Sequence, residues 1–220
     1  MTQKKMSSMH DVAIEIPKEK IKLDGILAIP EKAKVIVVFA HGSGSSRHSK
    51  RNQFVANILL EQGIGILLMD LLTQQEEQVD LTTAEHRFNI PLLAKRLVFA
   101  TEWLKANPET SHLKIGYFGS STGAAAALIA AAHDSKIVAV VSRGGRADLA
   151  KAVIHLVKSP TLFLVGGYDF EVTELNKEAY NMLTAEKKLE IIPGATHLFE
   201  EPGALEQVAK LAASWFKKHE

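Results

Sequence analysis

Apolar residues along this chain come in two textures. Over residues 12–16 and 21–29 they alternate with polar ones, the period-two pattern of strands with one dry and one wet face. Beyond that the apolar runs become short, continuous and often β-branched, at 35–40, 64–69, 113–118, 137–141, 161–165 and 189–192. Continuous runs of this length imply strands covered on both faces, as in a parallel sheet. Helical stretches lie between them: 50–61 behind Ser49 as N-cap, then 84–106, 122–132, 148–157, 173–183 and 204–218. Pro91 is expected to kink or restart the second of these, and Pro108 stands just past its end. Strands alternating with helices predict an α/β fold, a mostly parallel, doubly wound sheet of about eight strands opened by an antiparallel pair. No repeat, linker or low-complexity tract divides residues 1–220, so a single domain is expected. In such a sheet ligands bind at the carboxyl ends of the strands.

Composition narrows the function. Hydrophobic residues make up 46% of the 220 and charged residues 23%, the balance of a globular protein. A formal net charge of +1 gives no general field for nucleic acid or an anionic membrane. No stretch approaches the ~18 apolar residues of a membrane span, and residues 1–10 hold lysines with no apolar signal-type run behind them. The chain has no cysteine, which excludes disulfides, thiolate metal sites and a cysteine nucleophile together and suits a cytoplasmic enzyme.

Chemistry enters at Gly119-Ser120-Ser121-Thr122-Gly123, set between an apolar run and the alanine-rich stretch 124–132. Strand, five-residue turn and helix make the context in which G-x-S-x-G is a nucleophile elbow. The turn lifts Ser121 clear of the sheet, and the two glycines leave out side chains that would collide where strand and helix nearly touch. A serine hydroxyl needs a base, and the base needs an orienting acid. Asp169 follows the run 161–165 in Gly166-Gly167-Tyr168-Asp169, and His197 follows the next run in Pro193-Gly194-Ala195-Thr196-His197. Serine, acid, histidine is the hydrolase order, each on its own post-strand loop.

Taken singly, Asp169 would be a turn former or helix cap and His197 a solvated loop residue; their joint spacing with Ser121 is what makes them candidates. Ser120 is a rival nucleophile whose side chain should point away, and Asp70 a rival acid that precedes the serine. His133, His155 and His219 fall on or at the ends of expected helices and read as surface residues. His41-Gly42-Ser43-Gly44, after the run 35–40, is placed to supply the second oxyanion donor. The oxyanion hole is therefore expected from the backbone N–H groups of Ser43 and Thr122. The same loop begins like a dinucleotide fingerprint, but its sixth position is Arg47 where that motif needs glycine. No phosphate loop, H-E-x-x-H or calcium-loop pattern occurs, so neither metal nor cofactor is implied.

Two basic features bear on the substrate. Arg143 and Arg146 follow the run 137–141 and are expected at the active edge, where a guanidinium suits a carboxylate or phosphate. Arg47, His48, Lys50 and Arg51 crowd a helix start that disfavours cations, a placement an anionic ligand would relieve. Ordinary solvated or salt-bridged arginines are the competing reading in both places.

Together, the 119–123 motif, Asp169, His197 and His41-Gly42-Ser43-Gly44 resemble the α/β-hydrolase superfamily over nearly the whole chain. The short length and the run 41–51 look most like its compact, lidless dienelactone-hydrolase-like branch, here with a serine nucleophile. Superfamily lids are usually inserted after the strand that follows the nucleophile helix, and only ~20 residues separate Val141 from Thr161, so no cap domain is expected. Dienelactone hydrolases proper carry a cysteine nucleophile whose thiolate is held by a glutamate, where this chain has the loop 41–44. The resemblance thus implies fold and reaction class more than the lactone substrate. The expected function is hydrolysis of carboxylic esters or lactones of small soluble substrates, an anionic one being what the arginines would suit. Alternatives are a thioesterase, amidase or peptidase on the same triad, or a non-catalytic ligand-binding homologue.

Overall fold

The computed structural model describes residues 9–16 and 19–220. Residues 1–8, which hold most of the stretch read above as lacking a signal-type run, lie outside them. The element order is β1 (His10–Ile16), β2 (Ile21–Ala28), β3 (Val35–Ala40), α1 (Lys50–Glu61), β4 (Gly65–Met69), α2 (Gln74–Thr83) and α3 (Ile90–Ala106). There follow β5 (Lys114–Ser120), α4 (Thr122–His133), β6 (Val140–Arg143), β7 (Thr161–Gly166), α5 (Phe170–Met182), β8 (Lys187–Ile192) and α6 (Ala204–Lys218).

The eight strands form one sheet in the order β1-β2-β4-β3-β5-β6-β7-β8. β1 and β2 pair antiparallel, β2 is antiparallel to β4, and every later pairing is parallel. Every residue of β3, β4, β6 and β7 is buried, which is why their apolar runs are unbroken. Side chains alternate between two cores. Val35, Val37, Phe39, Phe118, Val141 and Leu164 meet α1 and α6, while Ile36, Val38, Tyr117 and Val140 meet α3 and α4. Large buried Leu and Phe side chains of this kind each contribute roughly 1.5–3 kcal/mol relative to exposure.

Three expected elements change. No helix begins at Ala84. Ala84 is instead the left-handed cap (φ 56°) that ends α2, and α3 starts at Ile90 behind Asn89, whose Oδ1 accepts from the Leu92 amide at 3.2 Å. Pro91 therefore sits in the first turn of α3, where its missing N–H costs nothing, and kinks no helix. Helix α2 has no counterpart in the apolar pattern because only Asp80 of it is buried. The expected helix 148–157 is two 3-10 turns, Ala147–Ala150 and Ile154–Leu156. The three-residue spacing of buried Ala147 and Ala150 fits a 3-10 period. Finally, β6 runs from Val140 to Arg143, so Arg143 ends a strand rather than opening a loop. Between β6 and β7 there is no room for a cap domain, and the described residues contain none. No helix of the described residues is long and apolar enough to cross a membrane.

Candidate active site

Ser121 stands between β5 and α4 with φ 51° and ψ −121°, a left-handed conformation that strains a residue with a β-carbon by about 1–3 kcal/mol. The surrounding backbone holds it there. Its N–H donates to the Arg143 carbonyl at 3.2 Å, and its own carbonyl accepts from Arg146 at 3.0 Å and Ala124 at 3.1 Å. A β-carbon on Gly119 would overlap the backbone of Ala124, and one on Gly123 would overlap the Ala40 carbonyl oxygen. Both glycines are thus required by the close crossing of α4 over β3 and β5. Ser120, the rival nucleophile, turns the other way: its Oγ donates to Asn52 Oδ1 on α1 at 3.2 Å, in a buried setting.

Asp169 occupies the N-cap position of α5, yet its side chain caps nothing. Its Oδ2 lies 2.6 Å from His197 Nδ1, which orients the imidazole with Nδ1–H toward the carboxylate and leaves Nε2 for another partner. The His197 ring packs against Gly144, where a β-carbon would come within 3.4 Å of Cε1. Gly144 follows Arg143, the residue that binds the Ser121 amide, so nucleophile and histidine border the same short backbone segment. Asp70, the rival acid, is committed elsewhere. It accepts from the Arg47 amide at 2.7 Å and pairs with the Arg47 guanidinium.

The loop after β3 lies against the elbow, a β-carbon on Gly42 reaching 3.1 Å from Ser121 Cβ. Its register depends on buried His41. The Leu71 amide donates to His41 Nε2 at 3.1 Å, so Nδ1 carries the proton and donates to the Gly42 carbonyl at 2.9 Å. Burial pushes the His41 pKa down, and the ring stays a neutral strut between the ends of β3 and β4. Ser43 Oγ lies 2.9 Å from Thr122 Oγ1 and donates to the Arg87 carbonyl at 3.3 Å. The N–H groups of Ser43 and Thr122 meet no acceptor among the described residues. Arg87 is held by Asp80, through Nε to Oδ2 at 2.6 Å and its amide to Oδ1 at 2.9 Å. Burial would raise the Asp80 pKa, but the amide and guanidinium of Arg87 and the amide of His86 hold it below the usual carboxylate value. Sequence reasoning passed over both His41 as a strut and the Asp80–Arg87 pair. For α2, which carries Asp80, a signal was present: Thr73 and Glu76 form a reciprocal capping box, with bonds of 3.2 and 2.8 Å.

The two candidate substrate arginines part company. Arg146 is engaged by Asp148 on its own turn, Nε to Oδ1 at 2.9 Å and Nη2 to Oδ2 at 2.8 Å. Arg143 faces α1, on the same side as Val141, and is buried. Burial and the charge of Arg51 push its pKa down to about 10. At the start of α1 the crowded cations are compensated from within: Arg47 pairs with Asp70 and Asp24, and Arg51 with Glu200. His133 and His155 are exposed, and His219 bonds the Trp215 carbonyl at 2.8 Å. No cluster of metal-ligating side chains occurs among the described residues.

Comparison with known proteins places this geometry. The family model of the dienelactone hydrolase family matches residues 23–219. Two proteins of Mycobacterium tuberculosis, from strains CDC 1551 / Oshkosh and H37Rv and each provisionally named a phosphoribosyl transferase, are 51% identical over 212 residues. That match covers 96% of this chain and 47% of each relative, so the chain spans about half the length of the curated relatives it matches. The crystal structure of a dienelactone hydrolase from Anabaena variabilis superposes with a TM-score of 0.95 at 54% identity, covering 97% of this chain and 99% of that one. Est1E from Butyrivibrio proteoclasticus superposes with a TM-score of 0.79 over 95% of this chain and 98% of its own, at 16% identity, a likeness of fold. The chain has the α/β-hydrolase fold and belongs to the dienelactone hydrolase family.

Proposed function

We propose that the chain is a single-domain serine hydrolase that cleaves carboxylic esters or lactones of small soluble substrates through an acyl-enzyme. The observation that carries this reading is the Asp169 carboxylate, which forgoes the cap of its own helix to hold His197 Nδ1 at 2.6 Å, at the same sheet edge as the strained Ser121. His197 Nε2 takes the Ser121 proton as the hydroxyl attacks the carbonyl, and Asp169 stabilises the imidazolium that forms. The amides of Ser43 and Thr122, which meet no acceptor among the described residues, bind the tetrahedral oxyanion; each such donor is worth roughly 3–4 kcal/mol of barrier elsewhere. His197 then gives its proton to the leaving group and activates water against the acyl-enzyme.

Beside the oxyanion loop lies a cleft of about 220 Å³ whose walls include Leu72, Leu81, Leu93 and Arg87. Its size and the absence of a cap domain favour small acyl or alcohol groups over long lipids. Serine in place of the family's cysteine follows from the cysteine-free sequence and the Ser121 elbow. The family match over residues 23–219 favours hydrolysis, and not phosphoribosyl transfer, as the chemistry of this span. A matched series of short-chain ester, lactone, thioester and amide substrates tests the reading. Ester or lactone turnover that vanishes in Ser121→Ala supports it, and a preference for the thioester or amide moves the bond specificity to that class. Saturable ligand binding without product would replace the reading with that of a binding protein.

A further inference from the structure

Arg143 differs from every other arginine in the chain. There are six, at 47, 51, 87, 96, 143 and 146, all described. Five hold carboxylates: Arg47 holds Asp70, Arg51 holds Glu200, Arg87 holds Asp80, Arg96 holds Glu76, and Arg146 holds Asp148. Arg143 holds none, although only 7% of it is exposed. Its Nε and Nη1 atoms are enclosed without a hydrogen-bond partner among the described residues, and so is Arg51 Nε. An enclosed guanidinium with no counter-charge is costly, and a second guanidinium nearby makes it costlier.

Its position is built rather than accidental. Arg143 pairs in register with Ser120, and strand alternation puts both side chains on the α1 side of the sheet. Ser120 there reaches Asn52, the neighbour of Arg51 in the first turn of α1. That turn contains no acidic residue, so its dipole is offset only by the Ser49 cap, whose Oγ accepts from the Asn52 amide at 3.3 Å. The charges of Arg143 and Arg51 act on each other beside this helix start, and among the described residues their one carboxylate partner is Glu200, which pairs with Arg51 through a side chain that is 62% exposed. The planar fork matches the two oxygens of a carboxylate or phosphate.

We propose that Arg143 and Arg51 form a binding site for a compact oxyanion, a carboxylate or phosphate, on the α1 side of the catalytic edge. The site is coupled to the chemistry through its backbone: the Arg143 carbonyl takes the Ser121 amide at 3.2 Å, and the adjoining Gly144 supports the His197 ring. This coupling rests on the hydrolase reading above, whereas anion binding itself does not. The oxyanion is either the acidic group of the substrate or a free anion that acts on the site from behind.

Thermal unfolding of the full chain, followed while inorganic phosphate is titrated against chloride at equal ionic strength, tests this. The unfolding midpoint is expected to rise with the logarithm of phosphate concentration in the wild type and in Ser121→Ala. The rise should disappear in Arg143→Met and weaken in Arg51→Gln. Arg143→Met should fold at least as stably as the wild type without phosphate, because it removes an unpaired buried charge. Equal rises in wild type and Arg143→Met, or none in either, would overturn the proposal and leave an adventitious ion only. Acetate and phosphate inhibition of ester turnover then separates the sources: competitive inhibition identifies the acidic group of the substrate, noncompetitive inhibition a separate anion. Because Ser121→Ala must still bind, failure here is distinct from failure of the hydrolase reading.

Discussion

The hydroxyls of Ser43 and Thr122 lie 2.9 Å apart, joining the loop after β3 to the first residue of α4. Since Ser43 spends its one proton on the Arg87 carbonyl, Thr122 is the donor of this pair. The two amides assigned to the oxyanion are thereby tied to one another by their side chains, and through Arg87 to Asp80. Thr122→Val keeps the backbone N–H but releases the tie. The expected result is a kcat reduced roughly 3–10-fold with KM nearly unchanged, the size of one net hydrogen bond felt mainly in the transition state. Thr122→Ser should restore most of the loss, and steady-state kinetics on one ester checks both.

Ser121 pays for its exposure with a positive φ of 51°. Glycine tolerates that conformation and alanine does not. Ser121→Gly should therefore be about 1 kcal/mol more stable than the wild type, and Ser121→Ala should show no such gain. Denaturant unfolding of the three proteins reads the difference, and neither variant should turn over.

Asp169→Asn keeps the shape of the side chain but offers an N–H donor to His197 Nδ1, which shifts the ring proton to Nε2 and leaves that atom unable to take the Ser121 proton. A loss on the order of 10⁴ in kcat is expected if the carboxylate orients His197, from the behaviour of such triads elsewhere. A loss below about 10-fold would reduce Asp169 to a turn residue.

Asp80 gives a prediction about pH. Its folded pKa lies below the ordinary carboxylate value, so its contribution to stability is complete above the unfolded pKa of about 3.9 and is lost as pH falls through the folded value. Asp80→Asn should cost about 2–3 kcal/mol at pH 7, the range of a charge-assisted bond, and the gap to wild type should narrow only below about pH 4. Urea unfolding across pH 3–8 measures it.

How much of this was legible beforehand varies with the element. The buried strands were plain, because full burial forces unbroken apolar runs such as Val35–Ala40. The elbow was plain too, because its two glycines are imposed by backbone overlap. Helix α2 was hidden, since a helix that buries only Asp80 leaves no apolar period, and its signature lay in the Thr73–Glu76 capping box. Pro91 was half legible: of the expected kink or restart, the restart holds, with α3 beginning at Ile90 behind the Asn89 cap, while the helix expected over 84–89 is a loop. The isolation of Arg143 could not be read from sequence, because it depends on where five other arginines found their partners.

The central claim, an assembled and activated serine, is tested most directly by treatment with a fluorophosphonate followed by intact mass and peptide mapping. An assembled triad predicts one adduct per chain on Ser121, lost in His197→Ala. A folded chain that takes no adduct, or takes it on a residue other than Ser121, would contradict it.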